Sequence, residues 1–192
     1  MALNAAQKMR QAKALFEGVT GQKFDAVSGN TASMLKFLFP GSSDRYPIAT
    51  KEAAKKLGVS PGTVRRWVRG VQNPRAEIAK KITTRVRQSM TTQRGRAQMV
   101  KRMQAQGGLP TKQRTIRIQG VQGPTADPNN WAYLRDGYSN LDMSPEEQQR
   151  FYESWVQGGD AGAERYITGL YNSPDRYVDG WQFHGIKGIS WM

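Results

Sequence analysis

Residues 49–70, reading ATKEAAKKLGVSPGTVRRWVRG, constrain the fold more than any other stretch, because they hold two short helical segments separated by a turn of three residues. Thr50 is expected to cap a first helix whose inward residues are Ala53, Ala54 and Leu57. Gly58 stands where the chain must turn sharply, and Val59 plugs the corner. Ser60 offers a second N-cap oxygen. Pro61 then takes the first helical position, where a missing N–H costs nothing. The spacing is that of a helix-turn-helix.

On a wheel of about 100° per residue the second helix separates into two faces. Val64, Trp67 and Val68 fall together and are expected to pack on Ala54 and Leu57. Gly62, Arg65, Arg66 and Arg69 fall on the other side, with Ser60 and Thr63 at the helix start. Three guanidinium groups and a bare glycine backbone near a helix N-terminus suit the major groove, since arginine reads guanine O6 and N7 bidentately. A solvated basic face on a helical hairpin is the ordinary alternative. Against it, a small residue, a glycine and a β-branched residue all fall at helix-turn-helix positions at once. The continuation WVRGVQNPRAEIAKKI resembles the Xre/Cro repressor class, in which a glycine, a proline and another helix follow the recognition helix.

Charge points the same way. The net charge is +14 with a sequence pI near 10.3, which favours a polyanionic partner. Residues 1–120 carry 24 Lys/Arg against 5 Asp/Glu, whereas residues 121–192 carry 5 against 10. A basic half therefore precedes a mildly acidic one, and a division of labour is expected.

Several function classes are disfavoured. The chain has no cysteine, so disulfides, thiolate zinc sites and cysteine nucleophiles are excluded. Its start lacks an apolar signal region and its longest apolar cluster, residues 34–39, is too short to cross a bilayer. A cytoplasmic, nucleoid-associated protein is expected. His184 is the only histidine, and no nucleophile or glycine-rich phosphate loop stands at a recognisable spacing. Neither an enzyme nor a cofactor or metal is expected.

Residues 4–16 read as a helix with Leu3, Ala6, Met9 and Leu15 or Phe16 inward. Apolar residues crowd 34–39, the expected buried centre of the DNA-binding domain, and residues 42–47 read as a polar connection. Arg75 opens a helix with Ile78, Ile82, Val86 and Met90 inward. The next run carries Arg94, Arg96, Lys101 and Arg102, with no acidic residue over 85–118. A phosphate-tracking arm is expected there, a solvated charged helix being the plainer reading. Gly107, Gly108 and Pro110 mark a linker. Thr115, Arg117 and Gln119 alternate with Ile116 and Ile118 as in a half-buried strand. A loop follows over 122–130, then a helix from Ser144, a break at Gly158-Gly159, a second helix from Asp160, and one or two strands over 177–191. Trp131, Tyr133, Tyr138, Trp155, Trp181 and Trp191 are expected in a core or dimer interface rather than stacked on bases, since their half is acidic.

The order of these features, with Ser33-x-Leu35-x-Phe37-Leu38, then AAxxLGVSxxTVxRxVxG, then PRxEIAxxI and the long arginine-rich run, resembles the terminal proteins that cap telomeres of linear actinomycete replicons. The resemblance implies telomeric DNA binding and a threonine hydroxyl on which a DNA polymerase starts synthesis. Thr91, Thr92, Thr111 and Thr115 are the candidates for that hydroxyl. It also implies a polymerase and a telomere-associated protein as partners. The alternative is a dimeric transcriptional regulator of a plasmid, phage or mobile element that acts by occupying its site.

The expected architecture is a mainly α N-terminal helix-turn-helix DNA-binding domain followed by a small α+β C-terminal domain. Its expected divisions are a basic helix and linker over 1–27, the DNA-binding domain over 28–90, the arm and linker over 91–110, and a dimerisation or partner-binding domain over 111–192. Double-stranded DNA and a second copy of the chain are the expected partners, and no membrane.

Overall fold

A computed structural model describes residues 3–105, 111–125, 132–176 and 180–192. The expected linker at Gly107, Gly108 and Pro110, the end of the 122–130 loop and Trp131 lie outside them. Helices lead and strands follow, a mixed α+β fold. The chain forms two compact units, one of Gln22–Thr91 and the other of Met1–Gly21 with Thr92–Met192. This differs from the division expected along the chain. The first helix, α1 (Ala5–Thr20), expected with its linker as a division of its own over 1–27, belongs to the second unit.

The Gln22–Thr91 unit contains α2 (Phe24–Ser28), α3 (Thr31–Leu38), the strands β1 (Pro40–Ser43) and β2 (Tyr46–Ile48), and the helices α4 (Thr50–Leu57), α5 (Pro61–Val68) and α6 (Ala76–Thr91). Asn30 caps α3 through a 2.9 Å bond from Ser33 N–H. That helix is the apolar centre: Leu35, Phe37 and Leu38 are buried, and α5 and α6 pack against it. Ala53, Ala54 and Leu57 of α4, Val64 and Trp67 of α5, and Ile82 and Val86 of α6 complete the core. Each large apolar side chain so buried contributes about 2 kcal/mol of transfer free energy. Residues 42–47, expected as a polar connection, are exposed and fall within an antiparallel hairpin of β1 and β2 with Pro40 opposite Ile48. Pro, Gly and Ser carry little strand propensity. The ladder rests on close backbone approach, for a Cβ at Gly41 would sit 1.6 Å from the Tyr46 carbonyl oxygen.

The second unit is built on a three-stranded antiparallel sheet of β3 (Arg114–Pro124), β4 (Arg135–Met143) and β5 (Trp181–Trp191) in the order β4-β3-β5. One face is covered by α8 (Pro145–Tyr171). Ile116, Ile118, Leu141, Met143 and Ile186 are buried there with Phe151, Tyr152, Trp155, Ile167 and Tyr171 of α8. Aromatic packing ties the layers: Tyr171 stacks on Trp181 at 5.0 Å and Phe151 meets Trp191 edge-on at 6.3 Å. A buried polar thread runs through the same layer. Tyr171 donates to Ser139 at 2.7 Å, Ser139 to Gln122, and the Gln122 amide to the carbonyls of Ile118 and Gly137.

Helix α8 starts on the capping box of Ser144 and Glu147 with Pro145 in the first turn, and its helical path breaks at Gly159 (φ 60°, ψ −147°). Only glycine takes such angles without strain. The seventh helix, α7 (Gln93–Ala105), packs on α8 through Met99 and Val100. Helix α1 lies along β5: Ile186 N–H donates to Gln11 Oε1 at 3.3 Å and Trp191 Nε1 to the Gly18 carbonyl at 2.7 Å. Ala14, Leu15, Phe16 and Val19 of α1 are buried, whereas Met9, expected inward, is 63% exposed. Strand β5 is bonded to β3 along one side and packed by α1.

Candidate nucleic-acid interface

The elbow of the helix-turn-helix is built by local chemistry. Helix α4 ends at Gly58 in the left-handed conformation (φ 71°), and the N–H groups of Gly58 and Val59 both reach the Ala54 carbonyl. Thr50 is the first helical residue rather than the cap. Its hydroxyl donates to the Ile48 carbonyl at 3.3 Å, and Ala49 occupies the cap position without a side-chain bond. Helix α5 opens as read from the sequence: Ser60 Oγ accepts from Thr63 N–H at 3.2 Å and Pro61 follows in the first turn.

Burial divides α5 as its wheel does. Val64 and Trp67 are inside, while Gly62, Arg65, Arg66 and Arg69 are exposed. Along the exposed side runs a chain of polar contacts. Ser60 Oγ and Thr63 Oγ1 lie 2.9 Å apart, and Arg66 Nη2 donates to Thr63 Oγ1 at 3.4 Å. Arg69, the C-cap, donates from Nε to the Arg65 carbonyl at 3.4 Å. Arg66 is thus drawn toward the helix N-terminus, the end that meets base edges in a major-groove complex. At Gly62 an added Cβ would find no atom nearer than Ser60 Oγ at 3.8 Å, so the fold of this unit leaves that backbone open.

Arg75 is exposed and its carbonyl accepts the first bond of α6 from Ala79 N–H at 2.9 Å. Sequence reading passed over Lys80, Thr84 and Arg87, which are exposed on the α6 side away from Ile82 and Val86. They follow one another at spacings of four and three residues, which sets them about a turn apart on that side. This unit holds 14 Lys/Arg against 4 Asp/Glu.

The arginine-rich run is placed otherwise than expected. It forms a packed helix of the other unit, and Arg96 is 8% exposed. Its Nε and Nη2 donate to the Val156 carbonyl at 3.2 and 3.0 Å, and its guanidinium lies 5.9 Å from the Trp155 ring. Arg96 thus bonds a carbonyl of α8 three residues before the break at Gly159, and its burial there keeps it from phosphates. Burial lowers its pKa, with the nearby Asp160 carboxylate opposing. Arg94 and Lys101 are exposed and Arg102 is half-buried.

The threonine candidates are dispersed. Thr91 bonds back to the Arg87 carbonyl within α6, and Thr92 accepts from Gly95 N–H at the start of α7. Thr111 is exposed. Thr115 lies in the central strand, opposite Asp142, to whose carboxylate it donates. His184 is a half-buried residue of β5 whose pKa burial lowers. Among the described residues no group of three or more His, Cys, Asp or Glu could hold a metal, and no helix is long and apolar enough to cross a membrane.

A helix pair joined by a glycine elbow, with an arginine face left open on the second helix, defines a sequence-specific DNA-binding module. Residues 50–85 match the Helix-turn-helix family model, of the Xre/Cro-like kind, which describes DNA-binding rather than catalytic domains. The match spans α4, α5 and the first part of α6. The curated proteins and the solved structures compared with the chain gave no match.

Proposed function

We propose that this protein occupies a specific duplex DNA site, with α5 in the major groove, Arg65, Arg66 and Arg69 reading bases, and Ser60, Gly62, Thr63 and Arg75 close to the backbone. The observation that carries this reading is the division of α5 into a buried side, Val64 and Trp67, and an exposed arginine side. Arg94, Lys101 and Arg102 are secondary candidates for phosphate contact. Two half-sites bound by a homodimer suit a helix-turn-helix, and β4, the outer strand opposite β5, is the sheet edge that a second copy would extend.

The finer role we propose is that of a terminal protein at the ends of a linear replicon, working with a DNA polymerase and a telomere-associated protein. Among the candidate hydroxyls, that of Thr115 donates to a carboxylate, Asp142, which suits a nucleophile. The second reading, a regulator that represses by occupancy, is favoured by the Xre/Cro-like match confined to residues 50–85. Selection of bound duplexes from a random pool, followed by titration, tests the shared core. Arg66→Ala or Arg69→Ala is expected to cost about 1–3 kcal/mol on the selected site and relax its sequence preference. Equal loss on selected and random DNA would refute base reading. Incubation with the replicon's polymerase, a telomeric template and labelled deoxynucleotide separates the finer roles. A label that survives denaturation and disappears in Thr115→Val supports priming, and repression of a reporter without any label supports the regulator.

A further inference from the structure

The sheet of the second unit has a second face. Opposite the α8 side, the register sets three rows across the strands: Asp142–Thr115, Asn140–Arg117–Ser190, and Tyr138–Gln119–Gly188. None of these residues is buried, and Tyr138 is 60% exposed. The Arg117 guanidinium lies over the Tyr138 ring at 4.5 Å from its centroid. In the next row the Gln119 amide lies close above Gly188, where a Cβ would come within 3.4 Å of its oxygen. Among the described residues the two carboxylates of this face are engaged, Asp136 by Lys187 Nζ at 2.6 Å and Asp142 by the Thr115 hydroxyl. Among the described residues no carboxylate pairs with Arg117, which has an aromatic ring beside it.

We propose that this face binds single-stranded nucleic acid, with an unpaired base stacked against the Tyr138–Arg117 pair and the backbone phosphate beside it drawn to Arg117. The open face of a three-stranded sheet is broader than the major groove of an undistorted duplex, whereas an unpaired base offers a π-face to a ring and its Watson–Crick edge to amides and hydroxyls. Gln119 and Ser190, at neighbouring register positions of the same face, supply such groups. An apolar peptide would find little here, since Tyr138 is the one large apolar side chain in the three rows. The charge of the unit also suits the ligand. Residues 121–192 are acidic, but the folded unit adds α1 and α7 and carries 15 Lys/Arg against 11 Asp/Glu. This site is separate from the recognition helix and does not rest on its role.

The test uses the full chain with Arg65, Arg66 and Arg69 changed to alanine, so that the recognition helix does not dominate. Fluorescence anisotropy follows a short labelled oligothymidylate. Tyr138→Ala and Arg117→Ala are each expected to weaken binding about 5- to 100-fold, while Tyr138→Phe stays within about twofold of the parent. In the otherwise unchanged chain, Tyr138→Ala is expected to leave affinity for the selected duplex as it was. Parent-like binding by Tyr138→Ala, or equal losses in Tyr138→Phe and Tyr138→Ala, would overturn the proposal. If Tyr138→Ala alters the circular dichroism spectrum, Tyr138→Leu against Tyr138→Phe carries the test. Both keep an apolar side chain, and only phenylalanine keeps the ring.

Discussion

Gly62→Ala should make α5 more stable and the protein a poorer DNA binder at the same time. Glycine in a helix costs up to about 1 kcal/mol relative to alanine, and a first-turn position retains about half of that or more. Nothing in the unit opposes the gain, because an added methyl meets no atom nearer than 3.8 Å. Stabilisation of about 0.5–1 kcal/mol follows. It would be read as a two- to fivefold rise in hydrogen-exchange protection of α4 and α5 peptides, where opening of this unit limits exchange. The same methyl projects from the exposed side that carries Arg65, Arg66 and Arg69. If that backbone lies against DNA, the methyl displaces it and affinity for the selected duplex falls by about tenfold, or about 1.4 kcal/mol. Protection and affinity therefore move in opposite directions. Affinity unchanged or improved would refute the close approach at Gly62, and lower protection would refute the open space.

Arg96→Ala is expected to destabilise the second unit by about 3 kcal/mol, since it strands the Val156 carbonyl and leaves Asp160 without a neighbouring cation, while the salt dependence of duplex binding stays as it was. Urea unfolding and a salt titration measure the two effects. By contrast, Arg94→Gln with Lys101→Gln lowers the slope of log affinity against log salt by about one for each phosphate that is no longer neutralised, and an unchanged slope would show both side chains to be merely solvated. Burial raises the pKa of Asp160 and of Glu164, the latter further raised by Asp160 and opposed by the bond from Gln11. A carboxylate with a raised folded pKa penalises the fold when ionised, so the second unit gains stability as pH falls from neutral through that folded value, and the gain levels off at the ordinary carboxylate range. Asp160→Asn with Glu164→Gln should flatten this part of the stability–pH curve.

The helix-turn-helix was legible because its determinants are local. Ser60, Pro61 and Gly58 act within four residues of themselves, and the 3.6-residue period sorts Val64 and Trp67 from Arg65, Arg66 and Arg69 before any tertiary contact forms. The alternation of Ile116 and Ile118 announced β3 in the same way, and Gly158-Gly159 announced the break in α8. Strand β4 did not announce itself: RDGYSNLDM mixes charge, glycine and turn-formers, and it is a strand because β3 offers it a ladder over nine residues. Position along the chain also misplaced the arginines of α7. Arg96 looks like its exposed neighbour Arg94, and only the packing of α7 on α8 brings it to the Val156 carbonyl. Charge counted by segment set residues 121–192 apart as acidic, whereas folding joins them to two basic helices from elsewhere in the chain. Local stereochemistry and periodicity are written residue by residue. Which distant segments share a sheet, which arginine is buried and which sheet face stays open depend on long-range packing that no window of sequence contains.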